Sequence, residues 1–144
     1  MIMKPKSILI AYADEQRDTS LRTFFEDLGF RVEESGGVSE IIRKVRKGDV
    51  QVILLTNDEI DGIKAYDLVP LLKTNPRVQV IVISSEESLR VVRRLRGAGI
   101  FYHAMKPVDP KEIRSAVECA FEKIERESLR EEGVFFMVPE MVPV

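Results

Sequence analysis

The sequence has little of several features that mark specialised classes of protein. It contains one cysteine, Cys119, so it cannot form an internal disulfide or build a cysteine-rich metal site on its own. Its charges nearly balance, because 22 Lys and Arg stand against 24 Asp and Glu and leave a net charge of -2. Without an excess of positive charge, we expect neither nucleic acid nor a membrane surface to be its partner.

Long hydrophobic runs are also missing. No apolar stretch approaches the roughly 20 residues that span a bilayer, and the apolar run after residue 7 is too short for the core of a signal peptide. With cysteine so rare, we expect a protein of the reducing cytoplasm. A length of 144 residues and an apolar fraction of 44% predict one folded domain.

The sequence does contain a regular alternation of short apolar runs and amphipathic stretches. The apolar runs predict buried strands at residues 7–13, 30–32, 50–55, 78–83 and 100–105. Apolar residues at three- and four-residue steps predict a helix after each strand. We expect Ser39 to cap the second helix, Pro70 to kink or delay the third, and Pro110 to open the last. This alternation is typical of an α/β fold, here a five-stranded parallel sheet with helices on both faces.

The periodic pattern stops near residue 132. The segment that follows is apolar and includes Phe135 and Phe136. We therefore divide the chain into a domain over residues 1–132 and an apolar C-terminal tail over residues 133–144. Exposed apolar segments tend to mark contacts, so we expect the tail to pack on its own domain, or the tail or the last helix to join two copies as a homodimer.

The candidate functional residues lie where the predicted strands end. In wound parallel sheets, ligands bind beyond the carboxyl ends of the strands. These exits carry Tyr12 and Asp14 after the first strand, the loop 56–61 after the third, Ser84 after the fourth and Lys106 after the fifth. The sequence therefore places its candidate site at one edge of the sheet.

Several residues stand at characteristic separations along this order of elements, namely Asp61-Gly62, Ser84, Ala98-Gly99 and Lys106-Pro107. With the apolar strands, they resemble the receiver domain of bacterial two-component response regulators over roughly residues 6–124. The resemblance implies a flavodoxin-like fold in which an Asp after the third strand accepts a phosphoryl group from a histidine kinase. It also implies that two acidic residues after the first strand hold Mg²⁺, and that a Ser or Thr and a Lys contact the phosphoryl oxygens.

By this resemblance, only part of the family's site is present. Ser84 and Lys106 take the positions of the hydroxyl and the lysine that contact phosphate. Thr56 stands in place of the phosphoacceptor, and Tyr12 and Ala13 stand in place of the acidic pair. A neutral hydroxyl needs a base to attack phosphorus, and Mg²⁺ needs carboxylate ligands. We therefore predict Thr56, Ser84 and Lys106 as residual phosphate-site positions, with no enzyme activity, no metal and no cofactor.

The expected function is recognition of a protein partner in a bacterial signalling pathway, independent of phosphorylation. In receiver domains, the fourth helix, fifth strand and fifth helix commonly form the partner-binding face. That face would comprise Arg90, Arg93, Arg94, Phe101, Tyr102 and His103. Plainer explanations stay open, because exposed arginines can simply be solvated, Ser84 can cap a helix, and His103 can be a core or interface residue.

Two other functions also stay open. In the first, Asp58 accepts the phosphoryl group in a rearranged loop, with Asp14 and Asp61 helping to hold Mg²⁺. In the second, the chain is a flavodoxin-like domain that binds flavin or another small molecule. The segment after the first strand, residues 12–17, has no Gly or Ser/Thr cluster to cradle a phosphate, which argues against the second.

Overall fold

The computed structural model describes residues 5–13, 19–85 and 88–131. The elements in these ranges are β1 (Ser7–Ala11), α1 (Ser20–Asp27), β2 (Arg31–Ser35), α2 (Val38–Lys47), β3 (Val52–Leu55), β4 (Glu59–Ile60), β5 (Ile63–Lys64), α3 (Ala65–Leu72), β6 (Gln79–Ser84), α4 (Leu89–Gly97), β7 (Tyr102–Met105) and α5 (Pro110–Glu131). The predicted tail, residues 133–144, lies outside the described residues, and so does Asp14.

The main sheet has five parallel strands in the order β2-β1-β3-β6-β7. Alternate residues of each strand point to opposite faces, so the sheet separates two apolar cores. Leu9, Ile53 and Val82 pack with residues of α2, α3 and α4 on one face. Ile8 and Ile81 pack with residues of α1 and α5 on the other. The predicted five-stranded parallel sheet with helices on both faces is confirmed.

The predicted loop after the third strand is more structured than expected. β4 and β5 form a short antiparallel hairpin, whose turn contains Asp61 and Gly62 with φ angles of 53° and 77°. The third helix therefore begins at Ala65, and Pro70 lies inside it. Of the two effects expected of Pro70, it does not delay the helix, because the helix begins five residues before the proline. Pro70 is exposed, so its ring is turned away from the core.

The second helix does not begin where its capping pattern predicts. Gly37 is the N-cap residue, and Ser39 lies within the first turn of α2. The backbone N–H of Val38 donates to a carboxylate oxygen of Asp61 at 2.9 Å, which replaces the expected serine cap. A residue distant in sequence thus satisfies the first turn of this helix.

The last helix agrees with its predicted start. Pro110 is the first residue of α5, and Ile113, Val117, Ala120 and Phe121 form its buried stripe. Among the described residues, no helix combines the length and the apolar character needed to cross a membrane.

Candidate functional site

The exits of four strands lie along one edge of the sheet, as the sequence predicts. The parallel register pairs Ala11 with Leu55, and Leu55 with Val82. It also pairs Ser84 with Met105 at the ends of β6 and β7. The residues that follow these strands therefore emerge side by side.

Neutral hydrogen bonds join the exits of β1 and β3. The backbone N–H and the hydroxyl of Thr56 both donate to the carbonyl of Ala11, each at 2.9 Å. The amide oxygen of Asn57 accepts the backbone N–H of Ala13 at 2.7 Å, and Asn57 is only 6% exposed. Sequence reasoning missed Asn57, because polar residues commonly follow strands and only its burial in the structure distinguishes this one. These contacts hold together the two loops in which the resemblance implies carboxylates.

A cavity of about 230 Å³ opens at the same edge, and we call it the strand-exit cavity. The polar residues Tyr12, Thr56 and Lys106 line it together with the apolar residues Ile10, Leu21 and Val108. The backbone N–H of Lys106 donates to the carbonyl of Ser84 at 2.9 Å, and the bond from Lys106 to Pro107 is cis. Within the described ranges, the Lys106 ammonium makes no ion pair with a carboxylate. Lys106 therefore borders this cavity beside the neutral polar residues Tyr12 and Thr56.

Ser84 and His103 form a contact that the sequence did not predict. Ser84 is fully buried at the end of β6, and its hydroxyl lies 2.9 Å from Nε2 of His103 on β7. Burial lowers the pKa of His103, the Asp58 carboxylate raises it, and Arg96 lowers it further. The helix-capping explanation of Ser84 is wrong, because Ser88 occupies the N-cap position of α4.

The predicted acidic residues do not surround one metal site in the described part of the chain. The carboxylate of Asp61 is engaged by Val38 at the start of α2. Asp58 is half-buried and lines a cleft between α3 and α4. At the exits of β1 and β3, the described side chains are the phenol of Tyr12, the methyl of Ala13 and the hydroxyl of Thr56. Mg²⁺ prefers carboxylate ligands, so these three residues do not fit the magnesium site of the family.

The predicted partner face is divided by α4 into two surfaces. Arg90 and Arg94 lie on the side of α4 that faces α3, in a cleft of about 380 Å³ that we call the α3–α4 cleft. On the other side, a hollow of about 330 Å³ is lined by Arg96, Ile100, Phe101, Tyr102 and His103, and we call it the β7 hollow. Arg93 is exposed and lines neither surface.

Tyr102 and Phe101 connect the β7 hollow to α5. The Tyr102 hydroxyl donates to a carboxylate oxygen of Glu112 at 2.7 Å, and this hydrogen bond raises the pKa of the phenol. Phe101 is half-buried and packs against the core beneath α5, with the Lys123 ammonium 5.8 Å from its ring centre. One flank of the predicted face is therefore partly fixed within the domain.

Comparisons with known proteins identify a related transcriptional regulator. The transcriptional regulator NtrC of Azospirillum brasilense, which is a DNA-binding protein, is 31% identical over 119 residues, covering 82% of this chain and 24% of NtrC. This chain thus spans about a quarter of the length of that curated relative.

Solved structures of receiver domains share the fold. A CheY-like receiver domain protein from Methanospirillum hungatei JF-1 superposes with a TM-score of 0.77 at 22% identity, over 85% of this chain and 98% of that one. A receiver domain protein from Clostridium thermocellum gives 0.73 at 19% identity, over 86% and 98%. The family model of the response regulator receiver domain matches residues 8–118, and the chain accordingly belongs to the response regulator receiver domain family.

Proposed function

We propose that this receiver domain is a pseudo-receiver, a signalling module that recognises a protein partner without being phosphorylated. The observation that carries the proposal is the pair of neutral hydrogen bonds that join the exits of β1 and β3, from Thr56 to Ala11 and from Ala13 to Asn57. An acyl phosphate forms when a carboxylate oxygen attacks phosphorus, and these residues offer a hydroxyl and an amide instead.

The surroundings of Thr56 support the same conclusion. The acceptors of its hydroxyl are the carbonyl of Ala11 at 2.9 Å and the amide oxygen of Asn57 at 3.4 Å, and neither is a general base that could activate the oxygen. With no carboxylate at positions 12, 13 and 56 to hold Mg²⁺, phosphoryl transfer would also lack its main means of neutralising developing charge. Lys106 then serves as a cationic wall of the strand-exit cavity, and the domain itself carries out no chemical step.

Recognition would use the surfaces on either side of α4. The α3–α4 cleft presents Arg90 and Arg94, and the β7 hollow presents Tyr102 and His103. We propose a protein partner of a bacterial signalling pathway, met in the cytoplasm. The curated relative binds DNA, but a net charge of -2 favours a protein over nucleic acid for this chain.

The test is an amide NMR titration of the whole chain with beryllofluoride, a phosphoryl mimic, in the presence of Mg²⁺. We expect the signals of Thr56, Ser84 and Lys106 to stay in place, both in this titration and in a control titration with Mg²⁺ alone. Saturable, Mg²⁺-dependent shifts at these positions would contradict the proposal. If such shifts disappeared in the Asp58→Asn variant, Asp58 would be the displaced phosphoacceptor.

A further inference from the structure

We propose that the α3–α4 cleft binds an acidic protein segment that also carries an apolar side chain. The inference rests on the proposed recognition function and names the chemistry of the partner. It follows from the charge of α4, the shape of the cleft and the residues that border it.

Helix α4 carries a concentrated positive charge. Its sequence, residues 89–97, contains Arg90, Arg93, Arg94 and Arg96 and no acidic residue. Elsewhere, Arg22, Lys44 and Arg114 lie in ion pairs with carboxylates of their own domain. In the described part of the chain, no α4 arginine has a carboxylate within ion-pair distance. An acidic partner would supply the missing counter-charge.

One of these arginines contacts an aromatic ring in the cleft. The guanidinium of Arg94 lies 4.0 Å from the ring centre of Tyr66, which is half-buried at the start of α3. A guanidinium attracted to the face of a ring can still donate N–H hydrogen bonds to a carboxylate. Arg90 stands one helical turn earlier on the same side of α4, so the two can share an acidic segment.

The floor of the cleft is apolar, which favours a partner that also carries an apolar side chain. Ala65, Val91 and Leu95 line it beneath the charged groups. Its volume, about 380 Å³, lies within the range of about 300–1,000 Å³ that is typical of ligand clefts. A segment that pairs a carboxylate with an apolar side chain would use both the arginines and this floor.

A nucleic acid fits the cleft less well. Asp58 borders the cleft, and Glu59 is paired with Lys64 at its rim. A continuous run of phosphates would be repelled by the Asp58 carboxylate and would compete with the Glu59 carboxylate for Lys64. A peptide can place single carboxylates against Arg90 and Arg94 and keep them away from Asp58. The mixed charge at the rim therefore favours a protein segment.

The experiment titrates the whole, isotope-labelled chain with a short synthetic peptide of alternating Glu and Leu, and with the same peptide in which Gln replaces Glu. We expect the acidic peptide to shift the amide signals of Tyr66, Val91 and Leu95 saturably, and the Gln peptide to bind at least about tenfold more weakly. The Arg90→Ala/Arg94→Ala variant should lose about tenfold or more in affinity for the acidic peptide.

The matched control is the Arg43→Ala/Arg126→Ala variant, which removes the same charge from exposed positions on α2 and α5. Its affinity for the acidic peptide should stay within about twofold of the parent chain. An equal loss in both variants would mean that only net charge attracts the peptide, and would overturn the assignment. So would shifts that avoid the cleft, no binding at all, or tighter binding of a single-stranded DNA oligonucleotide at the same amides.

Repeating the titration with beryllofluoride and Mg²⁺ separates this inference from the proposed function. Equal binding of the peptide with and without the phosphoryl mimic supports the cleft assignment and the proposed function. Binding that requires the phosphoryl mimic supports the cleft assignment and contradicts the independence from phosphorylation. Absence of binding in both conditions, with no response to the mimic, overturns the cleft assignment alone.

Discussion

The hydroxyl of Ser84 lies 2.9 Å from Nε2 of His103, and this contact joins the last two strands of the sheet. The register of β6 and β7 pairs Val82 with His103 and Ser84 with Met105. Since residues two apart on a strand share a face, Ser84 and His103 are diagonal neighbours on the side that packs against α3 and α4. The Ser84 carbonyl also accepts the backbone N–H of Lys106. The end of β6 is therefore held by the His103 side chain and by the backbone of Lys106, which follows β7.

The first prediction is that Ser84 and His103 stabilise the domain cooperatively. We expect Ser84→Ala to lower the free energy of unfolding by about 0.5–1.5 kcal/mol, because it removes a hydrogen bond between a buried and a half-buried group. Combined with His103→Ala in a double-mutant cycle, the two changes should show a coupling of about 0.5–1.5 kcal/mol in urea denaturation.

Tyr102→Phe is the matched control for this cycle. It removes a hydrogen bond to Glu112 on the exposed side of the same strand, and we expect it to change the free energy of unfolding by less than about 0.5 kcal/mol. A coupling between Ser84 and His103 close to zero would mean that their contact contributes nothing to stability.

The second prediction concerns pH. Burial lowers the pKa of His103, which is the one histidine of the chain. The unfolded chain therefore takes up a proton at this residue before the folded chain does, and stability falls as the pH drops from about 6.5 through the pKa of the folded state. An NMR titration of the imidazole should give a midpoint below about 6.5.

Urea denaturation at about pH 7.5 and about pH 5.5 measures the same effect on stability. We expect the parent chain to lose more free energy of unfolding between these values than the His103→Phe variant, which has no imidazole to protonate. A midpoint at or above the ordinary value, or an equal loss in both proteins, would contradict the prediction.

The strands could be predicted from the sequence because helices cover both faces of the sheet. A strand buried on both sides becomes a continuous apolar run, such as Ile8 to Ala11 or Val52 to Leu55, and such runs are visible without any tertiary information. The contact of Ser84 with His103 was not visible. It depends on the register between two strands, which a single sequence does not specify to one residue.

The surfaces around α4 show the same limit. Helical spacing places Arg90 and Arg94 together, but it does not reveal that Tyr66 stands opposite them. Nor does the sequence show that Arg96 turns toward His103 on the other side of the helix. The single partner face implied by the family resemblance is therefore two surfaces in this chain.

The third prediction is that Asn57 fixes the loop after β1. Its amide oxygen accepts the N–H of Ala13, and its side chain is buried. We expect Asn57→Ala to lower the free energy of unfolding by about 1–3 kcal/mol, because the backbone N–H of Ala13 loses this acceptor. The loss is measured by urea denaturation, and the amide signal of Ala13 should shift in the NMR spectrum of the variant. An unchanged Ala13 signal would show that the hydrogen bond to Ala13 is not what Asn57 contributes.

The fourth prediction is that a carboxylate at position 56 is not sufficient for phosphorylation. Thr56→Asp places an acid after β3, but Tyr12 and Ala13 still offer no ligand charge for Mg²⁺. We expect this variant to show no Mg²⁺-dependent beryllofluoride shifts by NMR, whereas Thr56→Asp/Tyr12→Asp/Ala13→Asp should show them. If the single variant already responded, carboxylates outside these positions would be supplying the metal ligands.

The last prediction concerns Asp61, which the sequence suggested as an acidic ligand and the structure places against α2. Its carboxylate accepts the first N–H of that helix at 2.9 Å, and its φ angle of 53° lies in the left-handed region. We expect Asp61→Ala to lower the free energy of unfolding by about 0.5–2 kcal/mol, because it removes the acceptor and leaves a side chain that tolerates this backbone poorly.

Asp61→Asn tests the role of the charge itself. Asparagine tolerates the left-handed conformation and keeps an oxygen acceptor for Val38, so only the attraction between a carboxylate and the helix N-terminus is lost. We expect it to cost no more than about 1 kcal/mol, measured by urea denaturation with and without Mg²⁺. A structural role predicts the same result in both conditions. If Mg²⁺ stabilised the parent chain but not Asp61→Asn, Asp61 would be a metal ligand, and the displaced-acceptor alternative would regain its support.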